Sequence, residues 1–471
     1  MNFVIIVSDT LRRDHLGCYG NGWISTPNID KFASNALVFE RAYSGSFPTV
    51  PHRRDLLTGR FTSSYTGWAP LGKDEVVLSE VLGNKEYLSM MVCDCPHILE
   101  NGYHYDRGFD GFEWIRGQES DRWKTHPEVP EHPCNPAKIR GADMLQKKHR
   151  RNVYGWQYES DRFVARTMTQ ACNWLEDNYR RKNFFLYVDT FDPHEPWDAP
   201  QWYVDLYDPG YKGEVVDYPL YAHTDFLTGS ELKHSRALYA AEVTLVDRWV
   251  GRLLEKIKDM GLMDNTVIFL TTDHGFLLGE HHIIGKSLLE PDNFSYIPLY
   301  EEINHIPLIV SVPGLEKGAR CKAVVQPMDI MPTILDIAGI DVPATVHGKS
   351  FARTLQHPGQ QHRDIAFSAP YLDSPDGIAT VVYERFTGII HPFAASTISS
   401  SKDLAVDGYE KETKGRTASK DLLFDIEKDM RQEKDIAGKN PELLQRMRNR
   451  FVSFLRDIGT DDKIVRRWSI R

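Results

Sequence analysis

Long apolar runs are missing from this 471-residue chain, and with them any stretch able to span a membrane. A basic excess is missing too: 66 acids face 56 bases, for a formal charge of −10. That balance argues against nucleic acid as the main partner and leaves room for a local basic pocket around a small anion. Cysteine is sparse: of six residues only Cys93 and Cys95 lie close, and on the strand expected there they read as two reduced thiols on opposite faces in preference to a metal site. Met1-Asn2 passes at once into Phe3-Val4-Ile5-Ile6-Val7, without a basic n-region, a long h-region or a small-residue cleavage site. The expectation is a cytoplasmic protein with no signal peptide. No solenoid-like repeat is present either.

What is present is an ordinary globular composition, 41% hydrophobic and 26% charged, on a chain long enough for one large α/β core and a smaller companion. Apolar, β-branched strands alternate with amphipathic helices. Phe3 to Val7, Leu37 to Tyr43, Tyr87 to Val92, Asn183 to Val188, Thr266 to Leu270 and Pro307 to Val310 read as strands. Asp161 to Tyr179 and Glu231 to Met260 read as helices. The pattern predicts an α/β fold: a large mixed, mainly parallel sheet with helices on both faces. After about Phe351 the runs shorten, so the expected division is a catalytic domain over 1–355 and a smaller C-terminal α+β domain over 356–471. Residues 117–158, charged and irregular, are expected to form an active-site wall or an oligomer contact.

The candidate site residues fall where strands end, the edge at which open α/β sheets bind ligands. Asp9 follows the first strand, His97 the third, His194 the strand from Asn183, and Asp273-His274-Gly275 the strand from Thr266. Ahead of them in importance is Phe47 to Arg60. Pro48 breaks the preceding strand, Thr49 can cap a helix, and Arg53 returns to the same face one turn later, where it can fork onto an anion. Taken alone, Thr49 also fits a plain helix cap, Arg53 a solvated charge, Asp9 a turn acid and Lys286 a surface loop lysine. Taken together, Asp9, Thr49, Asp273 and His274 suggest one metal ion with oxygen and nitrogen ligands, and Lys286 a cation for the same pocket.

Several stretches in order resemble the sulfatase family of the alkaline phosphatase superfamily. They are Ile5-Ile6-Val7-Ser8-Asp9, Asp14-His15-Leu16-Gly17-Cys18-Tyr19-Gly20, Thr26-Pro27-Asn28-Ile29-Asp30, Pro51-His52-Arg53 with Leu56-Leu57-Thr58-Gly59-Arg60, Pro193-His194-Glu195-Pro196, Thr271-Thr272-Asp273-His274-Gly275, Asp329-Ile330-Met331-Pro332-Thr333 and Leu423-Phe424-Asp425-Ile426. The family signature Cys-or-Ser-x-Pro-x-Arg falls on Thr49-Val50-Pro51-His52-Arg53. The resemblance therefore puts Thr49 where the family carries formylglycine, an aldehyde that threonine cannot form. Two further departures are Thr10, where many sulfatases have a second Asp, and Asp94 to His97, where many show Gly-Lys-x-His. Losing the second acid makes Mn²⁺ or Zn²⁺ as suitable as Ca²⁺.

The resemblance implies a metal-dependent hydrolase of sulfate or phosphate esters acting on a small anionic ester. Asp9, Asp273 and His274 would hold the metal and Thr49 would attack. Arg53 and Lys286 would stabilise charge, His97 would contact substrate, and His194, as a histidine near its normal pKa, would protonate the leaving oxygen. An unmodified threonine favours phosphate mono- or diesters or phosphonate esters, because its covalent adduct leaves only by water attack. A silent anion-binding relative and a phosphomutase are the alternatives, the second disfavoured by the lack of a large cap-like insertion. A homo-oligomer stays open.

Overall fold

The computed structural model describes residues 1–290, 293–315, 318–393 and 420–469. Its centre is an eight-stranded sheet. In chain order the strands are β1 (Asn2–Ser8), β2 (Leu37–Tyr43), β3 (Leu88–Cys93), β4 (Gly111–Trp114), β5 (Phe184–Thr190), β6 (Thr266–Thr271), β7 (His305–Ser311) and β8 (Arg320–Val325). Across the sheet the order is β8-β2-β7-β6-β1-β5-β3-β4. Only β7 runs against its neighbours, so the sheet is mixed and mainly parallel, as expected.

β1 shows why an unbroken apolar run belongs in the middle. Val4 and Ile6 enter the layer formed with the helices Phe163–Asn178 and Gly229–Asp259, while Phe3, Ile5 and Val7 enter the opposite one, with Leu56, Leu57, Ile334 and Leu335. Side chains alternate along a strand, so a strand covered on both faces must be apolar at every position. The same period corrects one expectation. Cys93 and Cys95 both reach the second layer, as residues two apart on extended backbone should. All six cysteines are free.

The helix α1 (Thr49–Thr58) is buried along its whole length. The helix α2 (Phe163–Asn178) and the long helix α3 (Gly229–Asp259) pack together on the other face, α3 opening on a Thr228–Glu231 capping box. Beyond Ile365 a four-stranded antiparallel sheet, Ile365–Ser368, Ala379–Tyr383, Phe386–Ile390 and Leu422–Asp425, forms a smaller α+β unit. The helix α4 (Pro441–Asp457) covers it through Met447, Phe451 and Leu455. No described helix is long and apolar enough to cross a membrane.

Candidate active site

Parallel register brings the first residues together. Val7 pairs with Thr271 across β1 and β6, so Asp9 and Asp273, each two residues further on, leave the sheet side by side. Thr10 then turns sharply, with φ of 61°, a left-handed conformation that is rare for a β-branched residue and typical of functional turns. The turn carries its N–H to Asp273 Oδ1 at 2.9 Å, and its hydroxyl donates to Asp9 Oδ1 at 2.7 Å. Gly275 follows His274 because a Cβ there would lie 1.9 Å from the Glu302 carbonyl oxygen.

Asp9, Asp273 and His274 each offer a ligand atom, all within 4.8 Å of one another and all buried. His274 Nδ1 lies 2.9 Å from the Gly275 carbonyl oxygen, so it carries the proton and Nε2 is left bare. Asp9 Oδ2 is buried without a well-formed hydrogen bond. Burial and the neighbouring Asp273 push the Asp9 carboxyl well above the usual range. Burial opposes ionisation of Asp273 as well, but His274 and Arg53 outweigh it and hold that carboxyl well below. Two packed carboxylates, one with an oxygen held only by its ion pair to Arg53, beside an unprotonated imidazole nitrogen, fit a small divalent cation.

Arg53 behaves differently from the expectation of an anion fork. Its Nε and Nη2 fork onto Asp189 at 2.8 and 2.7 Å, and its Nη1 meets Asp273 Oδ2 at 2.8 Å, Asp9 Oδ2 at 3.0 Å and the Thr49 carbonyl oxygen at 3.2 Å. All four side chains of this cluster are buried. Three buried carboxylates demand a cation, and the guanidinium is taken up by them. Asp189 was missed in the sequence, although an acid on an otherwise apolar strand was the available signal. Thr49 differs too: it is the first helical residue, with Pro48 at the cap position and no side-chain capping bond. Its place beside the cluster follows from Arg53 Nη1, which touches its carbonyl oxygen and both carboxylates.

On the other side, Lys286 Nζ lies 3.0 Å from His194 Nε2 and 3.4 Å from His274 Nε2. His194 Nδ1 contacts the Glu195 carbonyl oxygen at 2.6 Å, which keeps its proton there. Burial, then Lys286, push His194 well below its ordinary pKa, so the premise of a histidine near its normal value fails. In this environment His194 is neutral and accepts from Lys286. His97 stands further out. Phe191 stacks on His194 with ring centroids 4.0 Å apart and meets His97 at 5.5 Å.

The irregular insertion reaches the site. Glu119 Oε2 lies 2.9 Å from His97 Nε2, and Arg140 Nη2 bonds Glu195 Oε1 at 2.7 Å and Glu119 Oε1 at 3.3 Å. Tyr218 and Tyr221 donate to Glu119 and Glu195 respectively. Burial opposes the charge on Glu119, but His97 and Arg140 win and hold it well below the usual range. Neither Glu119 nor Arg140 was legible in a segment without periodicity. A separate crevice of about 1140 Å³, between Arg13, Arg236, Tyr300 and Arg431, includes none of these groups.

The sulfatase family model matches residues 1–340. The chain belongs to the sulfatase family. An arylsulfatase of Clostridium perfringens is 28% identical over 403 residues, covering 77% of this chain and 80% of that protein. Human iduronate 2-sulfatase is 27% identical over 487 residues, covering 88% and 83%. Among solved structures, the phosphonate monoester hydrolase of Agrobacterium radiobacter superposes with a TM-score of 0.71 over 97% of this chain and 96% of its own, at 18% identity. That likeness is one of fold. By kinship this chain is a sulfatase-like ester hydrolase, and sulfatases usually bind a divalent metal.

Proposed function

We propose that this chain hydrolyses sulfate or phosphate esters with one divalent metal, Mn²⁺, Zn²⁺ or Ca²⁺, and with Thr49 as an unmodified nucleophile. The observation that carries the reading is the meeting of Asp9, Asp273 and His274 beside the N-terminus of α1, tied to Thr49 through Arg53. Asp9, Asp273, His274 and the Thr49 hydroxyl would hold the ion, which would supply Lewis-acid charge and lower the hydroxyl pKa. No formylglycine is involved.

Thr49 Oγ gives up its proton to solvent and forms the new bond to phosphorus or sulfur as the bond to the leaving oxygen breaks, and the proton the Lys286–His194 pair then donates is replaced from solvent. The leaving oxygen takes its proton from the Lys286–His194 pair, in which one proton lies between Nζ and Nε2. Lys286 also faces the anion, and His97 lines the substrate side. Arg53 acts as a strut for the carboxylates. Water then attacks the adduct, regenerating the Thr49 hydroxyl and releasing the acid. That release favours phosphorus, while kinship favours sulfate.

The test is a panel of aryl sulfates, phosphate monoesters, phosphodiesters and phosphonate monoesters with metal-loaded protein. Turnover is expected on at least one class, lost in Thr49→Ala and partly kept in Thr49→Ser, with an adduct on Thr49 seen by intact mass. Full turnover by Thr49→Ala would sink the nucleophile, and bound metal with no turnover on any class would favour a silent anion-binding protein.

A further inference from the structure

Four consecutive polar side chains of the irregular insertion, Gln118, Glu119, Ser120 and Asp121, are buried, a placement that costs free energy unless bonds are made in return. Asp121 takes a fork from Arg116 at 2.8 and 2.7 Å and the Gly117 N–H at 2.7 Å. Asn152 donates to the carbonyl oxygens of Gly117 and Asp121 at 2.9 and 2.8 Å, and Gln118 Nε2 donates to Asp192 Oδ1 at 2.8 Å, two residues before His194. This scaffold holds Glu119 at φ of 41°, a left-handed conformation that is costly for a residue with a Cβ and persists only where the surroundings impose it.

The carboxylate so aimed divides its oxygens. Oε1 accepts from Tyr218 and from Arg140, while Oε2 lies 2.9 Å from His97 Nε2. Apart from that contact neither Oε2 nor Nε2 has a polar partner, and both are shut off from solvent. Trp68 and Phe191 meet the His97 ring at steep angles, with centroids 5.2 and 5.5 Å away. Such contacts fix the plane of an imidazole but do not tell its nitrogens from its carbons. Resting on the hydrolytic reading above, we propose that Glu119 is a positioning residue for His97. Its carboxylate keeps the Nε2–H turned toward the insertion and thereby presents Nδ1 to the substrate. Without it, a half-turn about the Cβ–Cγ bond puts a carbon where Nδ1 stood. The insertion is then part of the catalytic apparatus, because it supplies the group that orients a substrate contact.

The experiment is a double-mutant cycle on metal-loaded full-length protein, using whichever ester class the wild type turns over fastest. Glu119→Ala is expected to lower kcat/KM roughly ten- to hundredfold, the range seen when a carboxylate that orients a working imidazole is removed. In a His97→Ala background the same change should alter kcat/KM by less than about twofold. Glu119→Gln, which keeps an acceptor of the same length, should restore part of the loss. Nitrogen-15 NMR of the imidazoles gives a readout independent of turnover, with the His97 signals identified by their loss in His97→Ala. Expected is a proton on Nε2 in the wild type and in Glu119→Gln, and a proton shared between the two ring nitrogens in Glu119→Ala. Wild-type kcat/KM in Glu119→Ala, an equal loss with and without His97, or an unprotonated Nε2 in the wild type overturns the inference. Should Glu119→Ala fail to fold, the isosteric Glu119→Gln carries the cycle, and a loss of the same size in both backgrounds again overturns it. Absence of wild-type turnover on every ester class instead overturns the proposed hydrolysis, and the position of the His97 proton still decides whether Glu119 sets it.

Discussion

Replacing Arg53 separates its two readings, a clamp on the substrate or a strut under the metal site. The guanidinium and its partners Asp9, Asp189 and Asp273 are all inaccessible to solvent. Removing one member of a buried, hydrogen-bonded ion cluster costs about 3–5 kcal/mol, because the remaining charges stay buried without compensation. Against a total stability of about 5–15 kcal/mol that is a large fraction. Arg53→Ala is therefore expected to fold poorly unless metal is present. Arg53→Lys is the informative variant. It keeps the charge but loses the fork onto Asp189, two charge-assisted bonds of 2.7 and 2.8 Å, at a cost of about 2–3 kcal/mol. Denaturant melts of chelated and metal-loaded protein, with metal content by elemental analysis, measure the effect. A strut predicts lower stability and weaker metal retention, with kcat falling as metal is lost. Wild-type stability and metal content, together with a raised KM alone, would refute the strut and return Arg53 to the substrate.

Three further outcomes follow from the same groups. Burial and Asp273 raise the Asp9 pKa, so in metal-free protein its favourable contribution is complete below the unfolded value near 4 and is lost as pH rises through the folded value. Asp9→Asn should therefore stabilise chelated protein by about 1–3 kcal/mol at pH 8 and hardly at all at pH 4, and metal affinity of the wild type should rise with pH; equal effects at both pH values would contradict this. His52 is buried, neither ring nitrogen has a hydrogen-bond partner, and burial pushes it down to about 3. His52→Leu should raise stability by about 1 kcal/mol at pH 7 and by more as pH falls below 6.5, where the unfolded histidine gains a proton that the folded one refuses; a lower melting temperature at pH 7 would show that His52 has a partner. Gly275→Ala places a methyl against the Glu302 carbonyl and should cost about 1–3 kcal/mol, along with metal affinity, since the loop carries His274; wild-type metal titration would show that the loop adapts.

Periodicity was enough to read the architecture. Strands buried on both faces must be apolar throughout, and β1, β5 and β6 are, so the sheet and the strand ends bearing Asp9, His194, Asp273 and His274 were legible. Motif order supplied Thr49 and Lys286. What linear sequence cannot carry is the partner of a charge. Arg53 lies 136 residues from Asp189 and 220 from Asp273, and nothing local distinguishes a guanidinium that meets substrate from one that neutralises carboxylates. Glu119 and Arg140 lie in an aperiodic segment and acquire meaning only where it folds back on His97 and Glu195. The His194 pKa depends likewise on burial and on Lys286, 92 residues away. The kinds of chemistry available were thus set by the sequence, because residue type and strand-end position are local properties. How each charge is spent was decided by tertiary structure, because electrostatic compensation acts through space.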